Sequence, residues 1–200
     1  MIAVIDYGVG NLFSIKSSFA RVGADVVVTA DKKIIQNADK IMLPGVGAFE
    51  DAARKLRDSG MADLLCEEVK KGKYLMGICL GMQLLFEKSF EYGEHEGLGI
   101  LKGQVVPMAG KIDPALKIPH MGWNALEVKQ GKLLSEVDGQ HVYFVHSFYA
   151  EGCEASLAAV TEYGIPITAA VEQGNIFGCQ FHPEKSGNVG LSILQKFCQL

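Results

Sequence analysis

The first half of the chain alternates short apolar runs with longer segments of helical spacing. The run from Ile2 to Asp6 is typical of a buried strand, and the segment from Asn11 to Val22 has the spacing of an amphipathic helix with Asn11 as its N-cap. The same alternation predicts strands at Asp25 to Thr29, Lys40 to Leu43 and Lys73 to Ile78, and helices at Ala48 to Lys71, broken near Gly60, and at Leu80 to Lys88. This order indicates parallel βαβ units with right-handed connections.

The second half is richer in β-type residues, in runs separated by Gly, Pro and Asp. The runs are Val105 to Val106, Ala125 to Val128, Val142 to Tyr149, Ala155 to Thr161, Thr168 to Val171 and Ile176 to Phe181. Some of them are expected to pair antiparallel, and a helix from Gly190 to Gln199 ends the chain. The sequence therefore predicts an α/β fold, with a mixed, mostly parallel open sheet and helices on both faces, in a single domain spanning residues 1–200.

Composition argues against several classes of function. The 200 residues carry a net charge of −4, which gives no electrostatic footprint for nucleic acid or an anionic membrane. No apolar segment approaches the roughly 18 residues of a membrane span, and the start MIAVIDYG is unlike a signal peptide, so a cytoplasmic protein is expected. The five cysteines are scattered and lack CxxC pairs, so neither a disulfide framework nor a zinc site is expected. No cofactor is expected. Cys179 and Cys198 lie in apolar runs and are expected in the core.

Cys79 differs from the other cysteines in its setting. It lies in Gly77-Ile78-Cys79-Leu80-Gly81, between a predicted strand and a predicted helix, which is the pattern of a nucleophile elbow with cysteine in place of serine. The two glycines allow neighbouring backbone to approach, and the helix N-terminus presents free N–H groups, with that of Leu80 a candidate oxyanion donor. The alternative is a buried structural cysteine between packing glycines.

A cysteine hydrolase also needs a base, and His182 is the best placed of the five histidines because it follows the apolar run that ends at Phe181. Pro183 favours extended backbone at the residue before it, and residues two apart in an extended chain point the same way. The carboxylate of Glu184 is therefore expected to bind one imidazole nitrogen and leave the other for the thiol. The alternative is a surface turn without a catalytic role.

Two glycine-containing loops follow predicted strands. In Pro44-Gly45-Val46-Gly47, the glycines let backbone N–H groups turn toward a neighbouring site, so Gly45, Val46 and Gly47 are candidates for the second half of an oxyanion hole. An ordinary strand-to-helix turn is the alternative. The other loop begins at Gly8 and Gly10 but has Phe13 where a dinucleotide-binding loop needs its third glycine, so nucleotide binding is not expected.

Taken together, the elbow, extended to Gln83, and the His182-Pro183-Glu184 segment resemble the class I glutamine amidotransferases, which use a Cys-His-Glu triad. Within that family, four further segments resemble the glutaminase subunits of imidazole glycerol phosphate synthases. These segments are IDYGVGN at residues 5–11, LPGVG at 43–47, PHMGWN at 119–124 and YFVHS at 143–147. The resemblance runs from about residue 2 to the end of the chain.

The resemblance implies that Cys79, His182 and Glu184 release ammonia from glutamine. The ammonia would pass to a (β/α)8-barrel cyclase, which makes imidazole glycerol phosphate and an aminoimidazole carboxamide ribonucleotide in histidine biosynthesis. The family's glutamine contacts correspond to Gln83, Glu91, the backbone near Gly47 and the segment His146, Ser147 and Phe148. Its partner-facing surface corresponds to Asn11, His120, Trp123, Tyr143 and Lys185.

Some of these assignments have structural alternatives. Gln83 would otherwise be a solvated helix residue, Trp123 and Tyr143 core aromatics, and His120 a hydrogen-bonded structural histidine. Phe148 occupies a position that is usually tyrosine in the family, which removes a phenolic hydroxyl but leaves backbone contacts to glutamine intact.

Other functions fit only parts of the pattern. An amidotransferase subunit serving anthranilate or pyridoxal phosphate synthesis does not account for the PHMGWN segment. A cysteine hydrolase or chaperone with the same elbow does not account for the HPE segment or Gln83. A binding subunit that had lost catalysis would lack a member of the triad, and none is missing.

Overall fold

The computed structural model describes all 200 residues. The strands are β1 (Ile2–Ile5), β2 (Val26–Thr29), β3 (Lys40–Leu43), β4 (Tyr74–Ile78), β5 (Lys88–Ser89), β6 (His95–Glu96), β7 (Gln104–Pro107), β8 (His120–Ala125), β9 (Glu127–Val128), β10 (His141–His146), β11 (Phe148–Glu151), β12 (Leu157–Glu162), β13 (Pro166–Gln173) and β14 (Ile176–Cys179). The helices are α1 (Leu12–Arg21), α2 (Lys32–Asn37), α3 (Phe49–Asp58), α4 (Met61–Lys70), α5 (Leu80–Gln83) and α6 (Gly187–Gln199), and a 3₁₀ turn spans Pro183–Lys185.

The main sheet has eight strands in the order β2-β1-β3-β4-β14-β13-β12-β9. The first five are parallel to one another, and the last three pair antiparallel. A second sheet has the order β11-β7-β5-β6, and β8 pairs with β10 antiparallel. The predicted mixed, mostly parallel α/β sheet and the antiparallel pairing in the second half are confirmed.

Successive side chains along the strands point to opposite faces of the main sheet, and each face has its own hydrophobic core. In β1, Ala3 and Ile5 pack with residues of α3 and α4, whereas Ile2 and Val4 pack with residues of α1 and α6. Phe19 is one of several fully buried phenylalanines, each contributing about 1.5–3 kcal/mol through removal from water. The predicted break in the second helical segment is confirmed, since α3 and α4 are separated by Gly60 in a left-handed conformation.

The prediction of a helix from Leu80 to Lys88 is wrong, because α5 ends at Gln83. The carbonyl groups of Leu84, Leu85 and Phe86 accept hydrogen bonds from the N–H groups of residues 98–101, so they are not available to continue a helix. Lys88 instead begins β5.

Other differences lie in the second half of the chain. The predicted run from Val142 to Tyr149 is two strands, β10 and β11, which belong to different sheets and are separated by Ser147. The pattern did not predict α2, β5, β6 or β8. Cys179 is buried in the core as expected, but Cys198 is only partly buried. No helix has the length and apolarity needed to cross a membrane.

Candidate active site

Cys79 occupies a strained turn between β4 and α5, with φ of +53° and ψ of −113°. A positive φ is rare for a residue with a side chain, so the surrounding structure must hold it in place. Gly77 and Gly81 make this possible: a Cβ on Gly77 would lie 2.6 Å from the carbonyl oxygen of Gly81, and one on Gly81 would overlap the carbonyl oxygen of Leu43. The predicted strand–elbow–helix geometry is confirmed.

Adjacent parallel strands bring the candidate residues to one edge of the main sheet. β3 and β14 flank β4, and their carboxyl ends lead to Pro44 and toward His182 respectively. The N–H of Cys79 donates to the carbonyl of Cys179 at 2.7 Å, which fixes the elbow against β14. Crevices at the carboxyl ends of strands are the usual binding sites of open α/β sheets.

His182 and Glu184 form a buried pair, with 2.8 Å between Nδ1 of His182 and Oε1 of Glu184. Both side chains are almost fully inaccessible, so the surface-turn alternative is excluded. His182 is extended as predicted, but Pro183–Lys185 is a 3₁₀ turn, so the carboxylate reaches the ring by a turn and not along an extended chain.

The environment of His182 favours its charged form. Burial lowers the pKa of His182, but the Cys79 sulfur and the Glu184 carboxylate outweigh burial and raise it to about 9. Nε2 of His182 is buried without a hydrogen bond of normal geometry, so the nitrogen that is not used by Glu184 remains available. Through this nitrogen, His182 can accept a proton from a thiol and donate it to a departing amine.

The turn that carries His182 is itself fixed from two sides. The hydroxyl of Ser186 donates to the carbonyl of His182 at 2.6 Å and accepts from the N–H of Tyr143 at 3.0 Å. The N–H of His182 donates to the carbonyl of Tyr143 at 2.9 Å. These bonds tie the histidine to β10 and restrict its position relative to Cys79.

The Pro44-Gly47 loop packs directly on the elbow. The buried hydroxyl of Tyr7 donates to the carbonyl of Pro44 at 2.7 Å, and burial raises the pKa of Tyr7, so this hydroxyl stays protonated. A Cβ on Gly45 would lie 2.6 Å from the backbone nitrogen of Gly81, so only glycine permits this approach. Gly47 has a φ of +96°, which glycine adopts without strain.

A cavity of about 350 Å³ opens between these segments. Cys79 and His182 line it together with eight of the nine predicted oxyanion and substrate residues, namely Val46, Gly47, Leu80, Gln83, Glu91, His146, Ser147 and Phe148. Gly45 is absent from the lining because it packs against the elbow. Gln83 is buried, which excludes the solvated alternative for that residue.

Glu91 is the acidic side chain of the cavity lining. Its Oε2 accepts from the N–H of Phe49 at 2.6 Å, at the first residue of α3, where the preceding residue Ala48 supplies no side-chain cap. Burial raises the pKa of Glu91, while the Phe49 N–H and His95 act in the opposite direction. A carboxylate next to a cavity without lysine or arginine favours a ligand that carries a cationic group.

His146 connects the cavity to a second buried histidine. Its Nδ1 donates to the carbonyl of Phe148 at 2.8 Å, its Nε2 accepts from Nδ1 of His120 at 2.9 Å, and Nε2 of His120 accepts from Nδ2 of Asn124 at 3.0 Å. Burial lowers the pKa of His120 to about 4 and that of His146 to about 3, so both rings are neutral at pH 7, as this chain of bonds requires.

The predicted partner-facing residues lie in three different places. Trp123 is half exposed, its ring lies 5.9 Å from that of Tyr143, and Nζ of Lys185 lies 5.6 Å from the Tyr143 ring centre. These three therefore form one patch beside the His182 turn. His120 is only 1% exposed, so it is the hydrogen-bonded structural histidine of the alternative and its side chain does not reach the surface. Asn11 caps α1 by accepting from the N–H of Ser14 at 3.4 Å.

Residues 3–199 match the family described as glutamine amidotransferase class-I. The chain belongs to this family. It is 51% identical, over all of its length and 98% of the relative, to the imidazole glycerol phosphate synthase subunit HisH of Caldanaerobacter subterraneus subsp. tengcongensis. It is 48% identical to the subunit of the same name from Geobacillus thermodenitrificans, over 98% of the chain and 94% of the relative.

Solved structures agree on the fold. The chain matches the crystal structure of a glutamine amidotransferase with a TM-score of 0.78 at 20% identity, over the full length of both chains. It matches a chain in the structure of PurLQS from Thermotoga maritima with a TM-score of 0.73 at 20% identity, covering 99% of this chain and 97% of the other. At these identities the likeness supports the class I amidotransferase fold and nothing finer.

Several residues of the site were not predicted from the sequence. Tyr92, Pro119 and Val145 line the cavity, and Tyr7 anchors the glycine-containing loop. Gln180 is fully buried beside Cys79. The available signal for Gln180 was its polarity inside the apolar run from Ile176 to Phe181. No group of three or more His, Cys, Asp or Glu side chains is arranged to hold a metal ion.

Proposed function

We propose that this chain is the glutaminase subunit of an imidazole glycerol phosphate synthase, and that it hydrolyses glutamine to glutamate and ammonia for use by a cyclase partner. The observation that carries the reaction is the strained cysteine between close-packed glycines, beside a buried imidazole–carboxylate pair. The near-complete match to relatives of that name supports the choice of synthase.

In the proposed first half-reaction, Sγ of Cys79 attacks the side-chain amide carbon of glutamine. The negative charge that develops on the amide oxygen is stabilised by backbone N–H groups, from Leu80 at the start of α5 and from the Val46–Gly47 segment. Because α5 has only four residues, the N–H groups themselves matter more here than a helix dipole. His182 donates its proton from Nε2 to the departing nitrogen, which leaves as ammonia and gives a γ-glutamyl thioester.

In the second half-reaction, neutral His182 accepts a proton through Nε2 from a water molecule that attacks the thioester carbon. The C–S bond then breaks, glutamate leaves, and the thiolate–imidazolium pair is restored. Glu184 holds the ring through Nδ1 in both halves, and its charge stabilises the imidazolium.

The cavity supports glutamine as the substrate. Its volume of about 350 Å³ accommodates a small polar ligand, and the Glu91 carboxylate in its lining would bind the α-ammonium group. The amide nitrogen of Gln83 donates to the carbonyl of Phe148 and to Oε1 of Gln180. These bonds hold the side chain in the wall of the cavity and away from bulk water.

The partner is proposed to be a (β/α)8-barrel cyclase that binds over the patch formed by Trp123, Tyr143 and Lys185. Trp123 and Met121 are exposed apolar side chains on the same face of β8, which is typical of a surface that another protein covers. The patch lies next to the His182 turn, so bound partner would cover the cavity and keep ammonia from solvent.

The test is glutamate release and imidazole glycerol phosphate formation by the chain with and without the cyclase. Cys79→Ala should abolish glutamate release and glutamine-dependent synthesis while ammonium-dependent synthesis by the complex continues. Cys66→Ala, at a cysteine that lines a different cavity, serves as the matched control and should retain activity. Appreciable glutamate release by the folded Cys79→Ala variant would overturn the mechanism.

The same assay tests the role of the partner. We expect weak glutaminase activity from the chain alone and a large increase with the cyclase, because the Val46–Gly47 segment is not packed on both sides in the isolated chain. Full turnover without any partner would contradict this part of the proposal.

A further inference from the structure

One buried polar side chain beside the thiol has no role in the steps above. Gln180 follows β14 and is fully buried. Its Oε1 accepts from Nε2 of Gln83 at 2.9 Å, and its own Nε2 is directed at Sγ of Cys79 at 3.8 Å. Burying an amide is costly unless its hydrogen bonds are satisfied. In Gln180 the oxygen is bonded to Gln83, and the nitrogen faces the sulfur of Cys79.

The direction of these hydrogen bonds is fixed by a backbone carbonyl. Nε2 of Gln83 donates to the carbonyl oxygen of Phe148 at 3.0 Å, and a carbonyl can only accept. The amide nitrogen of Gln83 must therefore face Phe148, and its second hydrogen faces Gln180, which must present oxygen. The NH₂ group of Gln180 is consequently left toward the sulfur of Cys79.

The carbonyl at the start of this series is itself held. Besides Gln83, it accepts from Nδ1 of His146 at 2.8 Å, so both of its lone pairs are used. Rotation of either amide would place two donors or two acceptors against each other in a buried site, which costs the hydrogen bond and the desolvation of both groups.

We infer that Gln180 is a positioning residue for Cys79, whose amide N–H holds the sulfur at the cavity and stabilises its thiolate form. The inference rests on the proposed function only in taking Cys79 as the nucleophile. It assigns a role that neither the elbow nor the His182–Glu184 pair supplies, because the donor is a neutral side-chain amide whose orientation is fixed by Gln83.

The inference is tested on the isolated chain by alkylation of Cys79 with iodoacetamide over a range of pH, followed at the cysteine-containing peptides by mass spectrometry. Gln180→Met keeps the length of the side chain and removes its donor. We expect alkylation of Cys79 to be about tenfold slower at neutral pH, with the half-maximal pH moved upward by about one unit. Cys66 in the same sample reports the activity of the reagent.

A matched control is available at another buried cysteine. Oγ1 of Thr168 lies 3.7 Å from Sγ of Cys153, away from the cavity. Thr168→Val removes a buried polar group beside a sulfur, as Gln180→Met does, but it should leave the alkylation profile of Cys79 unchanged. This comparison separates a general loss of packing from a local effect on Cys79.

A folded Gln180→Met variant with the wild-type profile would overturn the inference. If that variant does not fold, Gln180→Glu gives the decision: it keeps the size and still accepts from Gln83, but it replaces the N–H with a negative charge. Its alkylation profile should move to higher pH than that of the wild-type chain, and no movement would refute the role. Because alkylation needs no glutamine, a wild-type chain that is alkylated as expected but lacks glutaminase activity even with the cyclase present would count against the proposed function alone.

Discussion

Glu184→Gln removes a charge from the buried pair at the centre of the site and leaves its shape almost unchanged. The side chain of Glu184 is 1% exposed, and its Oε1 lies 2.8 Å from Nδ1 of His182. A glutamine can still present its amide oxygen to Nδ1–H, so the ring can keep its orientation. The substitution therefore tests the contribution of charge separately from that of geometry.

The expected effect follows from the balance at His182. The rise of the His182 pKa from 6.5 to about 9 corresponds to roughly 3 kcal/mol in favour of the imidazolium, after burial has acted against it. Cys79 and Glu184 share this stabilisation, so Glu184→Gln should lower the pKa of His182 by about one unit or more. In Cys79→Ala/Glu184→Gln both negative charges are gone and burial is opposed only by a neutral amide oxygen, so the pKa of His182 should fall below 6.5.

The same shift predicts how stability depends on pH. Because the pKa of His182 is higher in the folded state than its ordinary value, the stabilisation is fully present below pH 6.5 and is lost as the pH rises through about 9. The free energy of unfolding of the wild-type chain should therefore fall over this range by an amount that the double variant does not show.

The assay is NMR titration of the labelled imidazole rings, combined with urea unfolding at several pH values. His120, whose pKa is about 4, does not contact Glu184 and provides an internal reference. Glutamine hydrolysis by Glu184→Gln with the partner present should drop by about 100-fold or more, since the imidazolium is less stable when the nitrogen departs. An unchanged His182 pKa in the single variant, or a value above 6.5 in the double variant, would refute the reasoning.

Three further outcomes are expected. Gly77→Ala should lower the free energy of unfolding by about 3 kcal/mol, because its Cβ would meet backbone atoms at 2.6 Å. Gly110→Ala, with φ of +79° and open space around the new Cβ, should lower it by only about 1 kcal/mol. Equal losses in urea unfolding would contradict the steric argument. Tyr7→Phe leaves the carbonyl of Pro44 without its donor, so we expect a loss of about 1–3 kcal/mol in stability and a lower kcat for glutamine, with KM less affected; wild-type kinetics would count against anchoring of the loop. Phe148→Tyr should keep kcat/KM within about threefold, because the carbonyl makes the hydrogen bonds of that residue, and a larger change would give the ring a role.

The parts of the site that the sequence could predict are those in which geometry is local. The elbow needs small residues at fixed offsets from Cys79, and the close approaches at Gly77 and Gly81 are the physical reason for that pattern. The pairing of His182 with Glu184 is also local, because the two residues are two positions apart, and it was predicted. The 3₁₀ turn at Pro183–Lys185 was not predicted, because the effect of Pro183 was considered only on the residue before it.

The parts that could not be predicted depend on contacts between distant segments. Gln180 and Cys79 are 101 positions apart, and Tyr7 and Pro44 are 37 apart. Neither contact can therefore be inferred from the spacing of residue types within a short segment. The helix expected to continue to Lys88 ends early for a similar reason: its carbonyl groups are taken by residues 98–101, which a periodic pattern in residues 80–88 cannot reveal. Burial of His120 likewise depends on the β8–β10 pairing, which places it opposite His146.

These contacts also restrict where the site can change shape when a partner binds. Pro44 is tied to Tyr7, and Gly45 is packed so closely on Leu80 and Gly81 that it cannot move toward the elbow helix without displacing them. Two residues further on, the constraints are absent: Val46 is 42% exposed, and a Cβ on Gly47 would meet nothing within 4 Å. In the proposed mechanism, reorientation of an oxyanion N–H is therefore confined to Val46 and Gly47, and the thiol does not need to move for the site to become active.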